Sequence, residues 1–206
     1  MKSIVVFMVC FFIFCGWLFY EQRKSQRMQK KASDDFWARE ELANSTRKKD
    51  ISHLPLIHVE ETDIPFVETR DETITMYIRQ LRQIIREPMI DLSDYSNTDL
   101  KLAYGVGNFK TLSEYDENFN TFLMVLTDLA RSYEHEKHYE EAEKTYLLAL
   151  RYGSRKACDY EELARIYLAL DRPDKISALI KDVENGEHPR KDTISSLLRQ
   201  VLADYR

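Results

Sequence analysis

One phrase, written twice, constrains this chain more than anything else in it. Leu129-Ala130-Arg131-Ser132-Tyr133 returns 34 residues later as Leu163-Ala164-Arg165-Ile166-Tyr167. A unit of that length is one supersecondary element, too small to bury its apolar face alone, so its repetition implies stacked copies. Five glycines and five prolines in 206 residues suit helices with few tight turns. The expected fold class is therefore all-α, a helical-hairpin array.

The residues around the phrase supply a second signal. Leu129, Ala130 and Tyr133 precede Tyr139-Glu140-Glu141-Ala142-Glu143-Lys144-Thr145-Tyr146, and Ala149 follows at helical spacing. This stretch, 123–156, resembles a tetratricopeptide repeat (TPR). The resemblance implies two antiparallel helices, with the small residues allowing close approach and the tyrosines filling the space beside them. Residues 157–190 resemble a second, degenerate copy. Leu163, Ala164 and Tyr167 match again, and Asp171-Arg172-Pro173 makes the turn. Ile176, Ile180 and Val183 depart from the family's small-large-small pattern. Two copies do not bury a continuous core, and about three are needed. The stripe Ile194, Leu197, Leu198, Val201, Leu202 and Tyr205 predicts a C-terminal capping helix over 191–206.

Ahead of the repeats, 71–122 reads as the helical N-terminal part of the same domain, covering the other end of the array. Ile74, Tyr77, Ile78, Leu81 and Ile85 follow a helical face that Pro88 ends. Ser96 or Asn97 caps a second helix, and Tyr115-Asp116-Glu117 reads as another helix start. Gly105-Val106-Gly107 is not a nucleotide loop, because Lys110 stands where a third glycine belongs. Two small residues at a kink or close crossing explain it better.

Ser3 to Tyr20 carries no charge and as a helix spans about 27 Å, with Trp17 and Tyr20 at one end. This predicts a single transmembrane anchor over 1–20. Arg23, Lys24, Arg27, Lys30 and Lys31 follow it, so the charge bias places the remaining chain on the cytoplasmic side of the cell membrane. Residues 21–70 then form a basic helical stalk and an acidic, proline-containing linker laid against the domain. With the repeats, the whole resembles bacterial membrane-anchored TPR proteins.

Several chemistries are not signalled. The net charge of −5 gives no reason to expect nucleic acid. Cys10, Cys15 and Cys158 form no disulfide framework. His135 and His138 are three apart, one short of the zinc-protease spacing, and His53 and His58 have no further ligand nearby. No serine elbow, P-loop or Cys-His pair appears. The expectation is a non-enzymatic protein with no cofactor and no metal.

What remains is a binding surface. The resemblance places Thr127, Arg131, Glu134, His135, Glu161 and Arg165 on the concave face lined by first helices. Arg131 and Arg165, one repeat apart, suit an acidic peptide or a carboxylate terminus. The alternative is that each pairs with a carboxylate of its own helix, the common arrangement on solvated faces. The chaperone-binding members carry asparagine where Arg131 and Arg165 stand, so chaperone binding is not carried over. The expected role is an adapter holding a protein or peptide partner. The alternative is a structural subunit of a larger complex, making contact through the stalk or the convex face.

Overall fold

The computed structural model describes residues 2–205, without the side chains of residues 2–7, 9, 10 and 12. Among the described residues there are eight α-helices and no strand. They are α1 (Lys2–Ser45), α2 (Glu72–Ile84), α3 (Asn97–Tyr104), α4 (Phe109–His135), α5 (Tyr139–Arg151), α6 (Ala157–Ala169), α7 (Pro173–Asn185) and α8 (Lys191–Asp204). The all-α expectation holds. The chain forms two compact units, Met1–His53 with Ser93–Lys110, and Leu54–Leu92 with Thr111–Arg206.

The anchor expectation does not hold. Among the described residues, no helix is long and apolar enough to cross a membrane. The physical reason lies in α1, which runs unbroken into a polar, charged stretch beginning at Glu21. A span needs roughly 20 mostly apolar residues. The described apolar side chains are Met8, Phe11 and those of 13–20; Ser3–Phe7, Val9, Cys10 and Phe12 lie outside the described side chains. That finding overturns the single-pass anchor over 1–20, and with it the cell-membrane, cytoplasmic-side placement that depended on it.

In the first unit, the C-terminal end of α1 packs on α3, burying Ala43 and Leu100. Ser96 caps α3 reciprocally with Asp99, satisfying amides that the helix start leaves free. Lys101 donates to Asn44 Oδ1 at 2.9 Å and pairs with Glu40. At the other end of α3, Lys49 Nζ donates to the carbonyls of Leu102 (3.2 Å) and Ala103 (2.7 Å), where the helix dipole favours a cation. Buried Asn108 donates to the carbonyls of Lys49 and Tyr104, both at 2.7 Å. Gly105, at φ +85°, lies against the main chain of Arg47.

In the second unit, residues 54–70 run along the helices, with one 3-10 turn at Glu61–Asp63. The Ile57 amide donates to the Met89 carbonyl at 2.8 Å. The Tyr133 hydroxyl donates to the Pro65 carbonyl at 2.9 Å. Val59 and Ile64 join the apolar core of α2 and α4–α8. Asp71 caps α2 by accepting the Ile74 amide at 2.8 Å. α4 starts at Phe109, well before 115–117, so Asp116 is no helix start; its carboxylate instead accepts the Leu92 amide at 3.0 Å.

α4 turns into α5 at 136–138 and α6 into α7 at 170–172, α5 packs on α6, and α8 packs on α6 and α7. The repeat is written in the backbone as well as in the sequence. Lys137 (φ +62°) and Asp171 (φ +56°), 34 residues apart, end α4 and α6 in the left-handed conformation. Each turn closes in the same way. His138 donates to the Tyr133 carbonyl and Arg172 to the Tyr167 carbonyl, both at 2.8 Å. Lys137 and Asp171 donate to the carbonyls of Glu134 (2.9 Å) and Leu168 (3.0 Å). This double bond pattern satisfies carbonyls left free at a helix end. The tyrosine of the repeated phrase thus fills the core with its ring and closes the turn with its carbonyl.

Leu129, Ala130, Tyr133, Ala142, Tyr146, Ala149, Leu163, Ala164 and Tyr167 are all buried, as are Ile176, Ile180 and Val183 at the equivalent positions of the second hairpin. The larger aliphatics keep the register. Between the hairpins, the nearly buried Glu143 of α5 accepts from Arg172 Nη1 at 2.9 Å and from Lys175 at the start of α7.

Candidate functional face on the first helices

The repeated phrase carries Arg131 on α4 and Arg165 on α6, both exposed. Neither is free. Arg131 Nη1 donates to Asp128 Oδ1 at 3.0 Å, and Arg165 Nη2 to Glu161 Oε1 at 2.6 Å. These i,i+3 and i,i+4 pairs are what helical spacing favours, and each is worth only a few tenths of a kcal/mol. A ligand carboxylate would compete with both.

The arginines also act on Glu134. Its carboxyl is pushed above the usual range by burial first and then by the Glu162 carboxylate, while Arg165 and Arg131 oppose the shift. Glu161 and the others therefore form one mixed-charge patch across α4 and α6. Sequence reasoning missed Glu162, although its place beside Glu161 on α6 was a readable signal.

His135 lies at the end of α4, with Nδ1 3.0 Å from Glu136 Oε1. Thr127 is buried, and its hydroxyl donates to the Leu123 carbonyl (3.0 Å) and to Asp159 Oδ2 (3.3 Å). Asp159, fully buried in the first turn of α6, also accepts from Ser154, and the Cys158 thiol donates to its Oδ1 at 3.6 Å. Asp159→Ala is expected to cost about 2–4 kcal/mol, because it orphans the buried Ser154 hydroxyl, takes one of two acceptors from Thr127 and empties a fully buried site. Urea denaturation checks this, and a loss below about 1 kcal/mol would contradict the role given to Asp159.

Beneath the patch lies Tyr146. Its ring is fully buried, and its hydroxyl has no hydrogen-bond partner among the described residues. Burial pushes the phenol strongly upward; Glu162 and Glu134 add to this and Arg131 opposes it. Among the described residues no group of three His, Cys, Asp or Glu side chains converges as metal ligands would. No protein-family model matches the chain, and neither a curated protein nor a solved structure matches it.

Proposed function

We propose that this chain is a TPR-like adapter that holds a segment of a partner protein across the first helices of its two hairpins. The observation that supports the reading most is the mixed-charge patch of Arg131, Glu134, Glu162 and Arg165. Its two arginines occupy equivalent positions of the repeated phrase, and its charges act on the unpartnered Tyr146 hydroxyl. Exposed, loosely paired charges of both signs offer donors and acceptors to a polar segment at little cost, since surface pairs are weak. The adapter performs no chemistry of its own.

A photo-crosslinking amino acid at position 134 of the full-length chain tests the reading. It is expected to trap a small number of discrete proteins in cells. Arg131→Glu combined with Arg165→Glu should reduce the yield at least five-fold. Yield that ignores the charge reversals, or no trapped protein at all, would overturn the assignment.

A second reading, a structural subunit docking through the first unit, draws support from Phe36, Trp37 and Leu42, which α1 leaves more than half exposed. Charge changes on α4 and α6 would then leave assembly unchanged.

A further inference from the structure

Three arginines without a carboxylate partner among the described residues lie elsewhere. Arg79 and Arg86 project from α2 or just beyond it, and Arg70 immediately precedes it. None of the three forms an ion pair among the described residues. Arg79 and Arg82 border a cavity of about 640 Å³ between α2 and the extended strip 66–69. Its apolar surface comes from Phe66, Val67 and Ile78, and its hydroxyls from Thr69 and Thr75. Smaller hollows of about 340 and 290 Å³ adjoin it, bordered by Arg70 and Arg86 respectively, and both share Arg79 with it. Together they make one trough along α2.

We propose that this trough docks an extended, acidic segment of a protein partner. It rests on the adapter reading only in taking a protein partner, and it uses a different face from α4 and α6. The distance along α2 from Glu72 to Arg86 is about 20 Å, which matches about six extended residues. Extended chain sends alternate side chains to opposite sides. A segment alternating apolar and acidic residues would set apolar side chains on Phe66 and Ile78 and turn carboxylates toward arginine forks.

Arg82 is already oriented for this. Its Nε donates to Glu61 Oε1 at 2.8 Å, and its guanidinium lies 4.8 Å from the centre of the Phe66 ring. A held guanidinium loses less freedom when it takes a second anion. Glu68, Glu72 and Glu87 also border the trough. They repel a uniformly acidic chain, so the segment is selected by where its carboxylates fall, not only by its charge.

The test uses the full-length chain and a fluorescent hexapeptide alternating glutamate and leucine, read by anisotropy. Arg79→Glu with Arg86→Glu, both exposed, is expected to weaken binding at least ten-fold. Arg131→Glu with Arg165→Glu should change it less than two-fold. Raising the salt should weaken wild-type binding and leave the first variant nearly unaffected. No binding of the peptide, or binding unchanged by the α2 variant, overturns the trough. Loss confined to the Arg131 and Arg165 variant also overturns it while supporting the α4/α6 face. A failed crosslink at position 134 with intact α2-dependent binding would sink the face assignment alone.

Discussion

Replacing Gly105 by alanine is expected to unfold the α3 segment of the first unit while leaving the repeat hairpins intact. Two physical effects act together. At φ +85° and ψ 146° the backbone sits where side chains other than glycine's are strongly disfavoured. An added Cβ would also lie 2.1 Å from the Arg47 carbonyl oxygen and 2.5 Å from its carbon. Those are main-chain atoms and cannot rotate away. Relief would require moving 46–49 off α3, which breaks the hydrogen bonds that the Lys49 amide donates to the Tyr104 carbonyl (3.0 Å) and the Val106 amide to the Thr46 carbonyl (3.2 Å). The expected cost is about 3 kcal/mol or more. Hydrogen exchange should rise at least ten-fold over 97–108 and stay unchanged over α5–α8. Gly107→Ala is the control, because its Cβ would meet only the flexible Lys48 side chain, at 3.2 Å. It should cost less than about 1 kcal/mol. If the two alanine variants behave alike, the close approach at Gly105 is not what holds this unit together.

The contrast between these glycines also marks where sequence reading stops. Gly105-Val106-Gly107 signals that something small is needed, but the partner, the Arg47 carbonyl, lies far away in sequence. Local patterns were legible. The N-cap at Ser96 and the proline opening α7 follow from short-range chemistry, and each is found; the apolar stripe of α8 is found in part, with Ile194 and Leu198 buried and Tyr205 exposed. The turn at Asp171-Arg172-Pro173 was legible too, but the left-handed conformation of Lys137 and Asp171 was not, because sequence rules look for glycine or asparagine there. Their 34-residue spacing was implicit in the repeated phrase all the same. Nor could sequence show that α3 joins α1 while α2 joins the repeats, since both contacts are non-local.

The candidate face was legible as positions, not as partners. The resemblance assigned Arg131, Glu134, Glu161 and Arg165 to one face, and helical spacing hands each arginine a carboxylate of its own helix. Thr127 was selected by register, yet its hydroxyl is held by Asp159, a buried carboxylate that no pattern singled out. Arg70, Arg79 and Arg86 carry no such signal, because their lack of a carboxylate partner is visible only in three dimensions.

The tyrosines of the repeat should make the second unit collapse in alkali. Burial pushes the Tyr133 phenol up to about 12 and the Tyr167 phenol up to about 12, the latter helped by the Glu143 carboxylate. An unfolded tyrosine ionises near pH 10. Below about pH 10 both states keep their protons, and the full stability is present. Between about pH 10 and 12 the unfolded chain loses protons that the folded chain still holds, so unfolding gains and stability is lost as pH rises through the folded values. Ionising near pH 12 instead of near pH 10 corresponds to about 2.7 kcal/mol at most for each tyrosine. Solvent near the hydroxyls screens part of this, so the pair removes about 3–5 kcal/mol. That is a large share of the whole stability of an ordinary domain.

Tyr146 shifts in the same direction, and its hydroxyl has no partner to lose. Tyr146→Phe removes an unsatisfied buried group without leaving another behind. It should be neutral or stabilising by up to about 1 kcal/mol at neutral pH, and should move the alkaline midpoint upward. Tyrosinate absorbance and helical circular dichroism, followed together from neutral pH upward, check both statements. The absorbance of the buried tyrosines should rise only as helix is lost. A rise before any loss of helix would mean that these phenols ionise inside the folded array, and that their burial does not protect it. A Tyr146→Phe variant less stable at neutral pH would mean instead that the hydroxyl is satisfied, by water or by ligand, at the floor of the α4/α6 face.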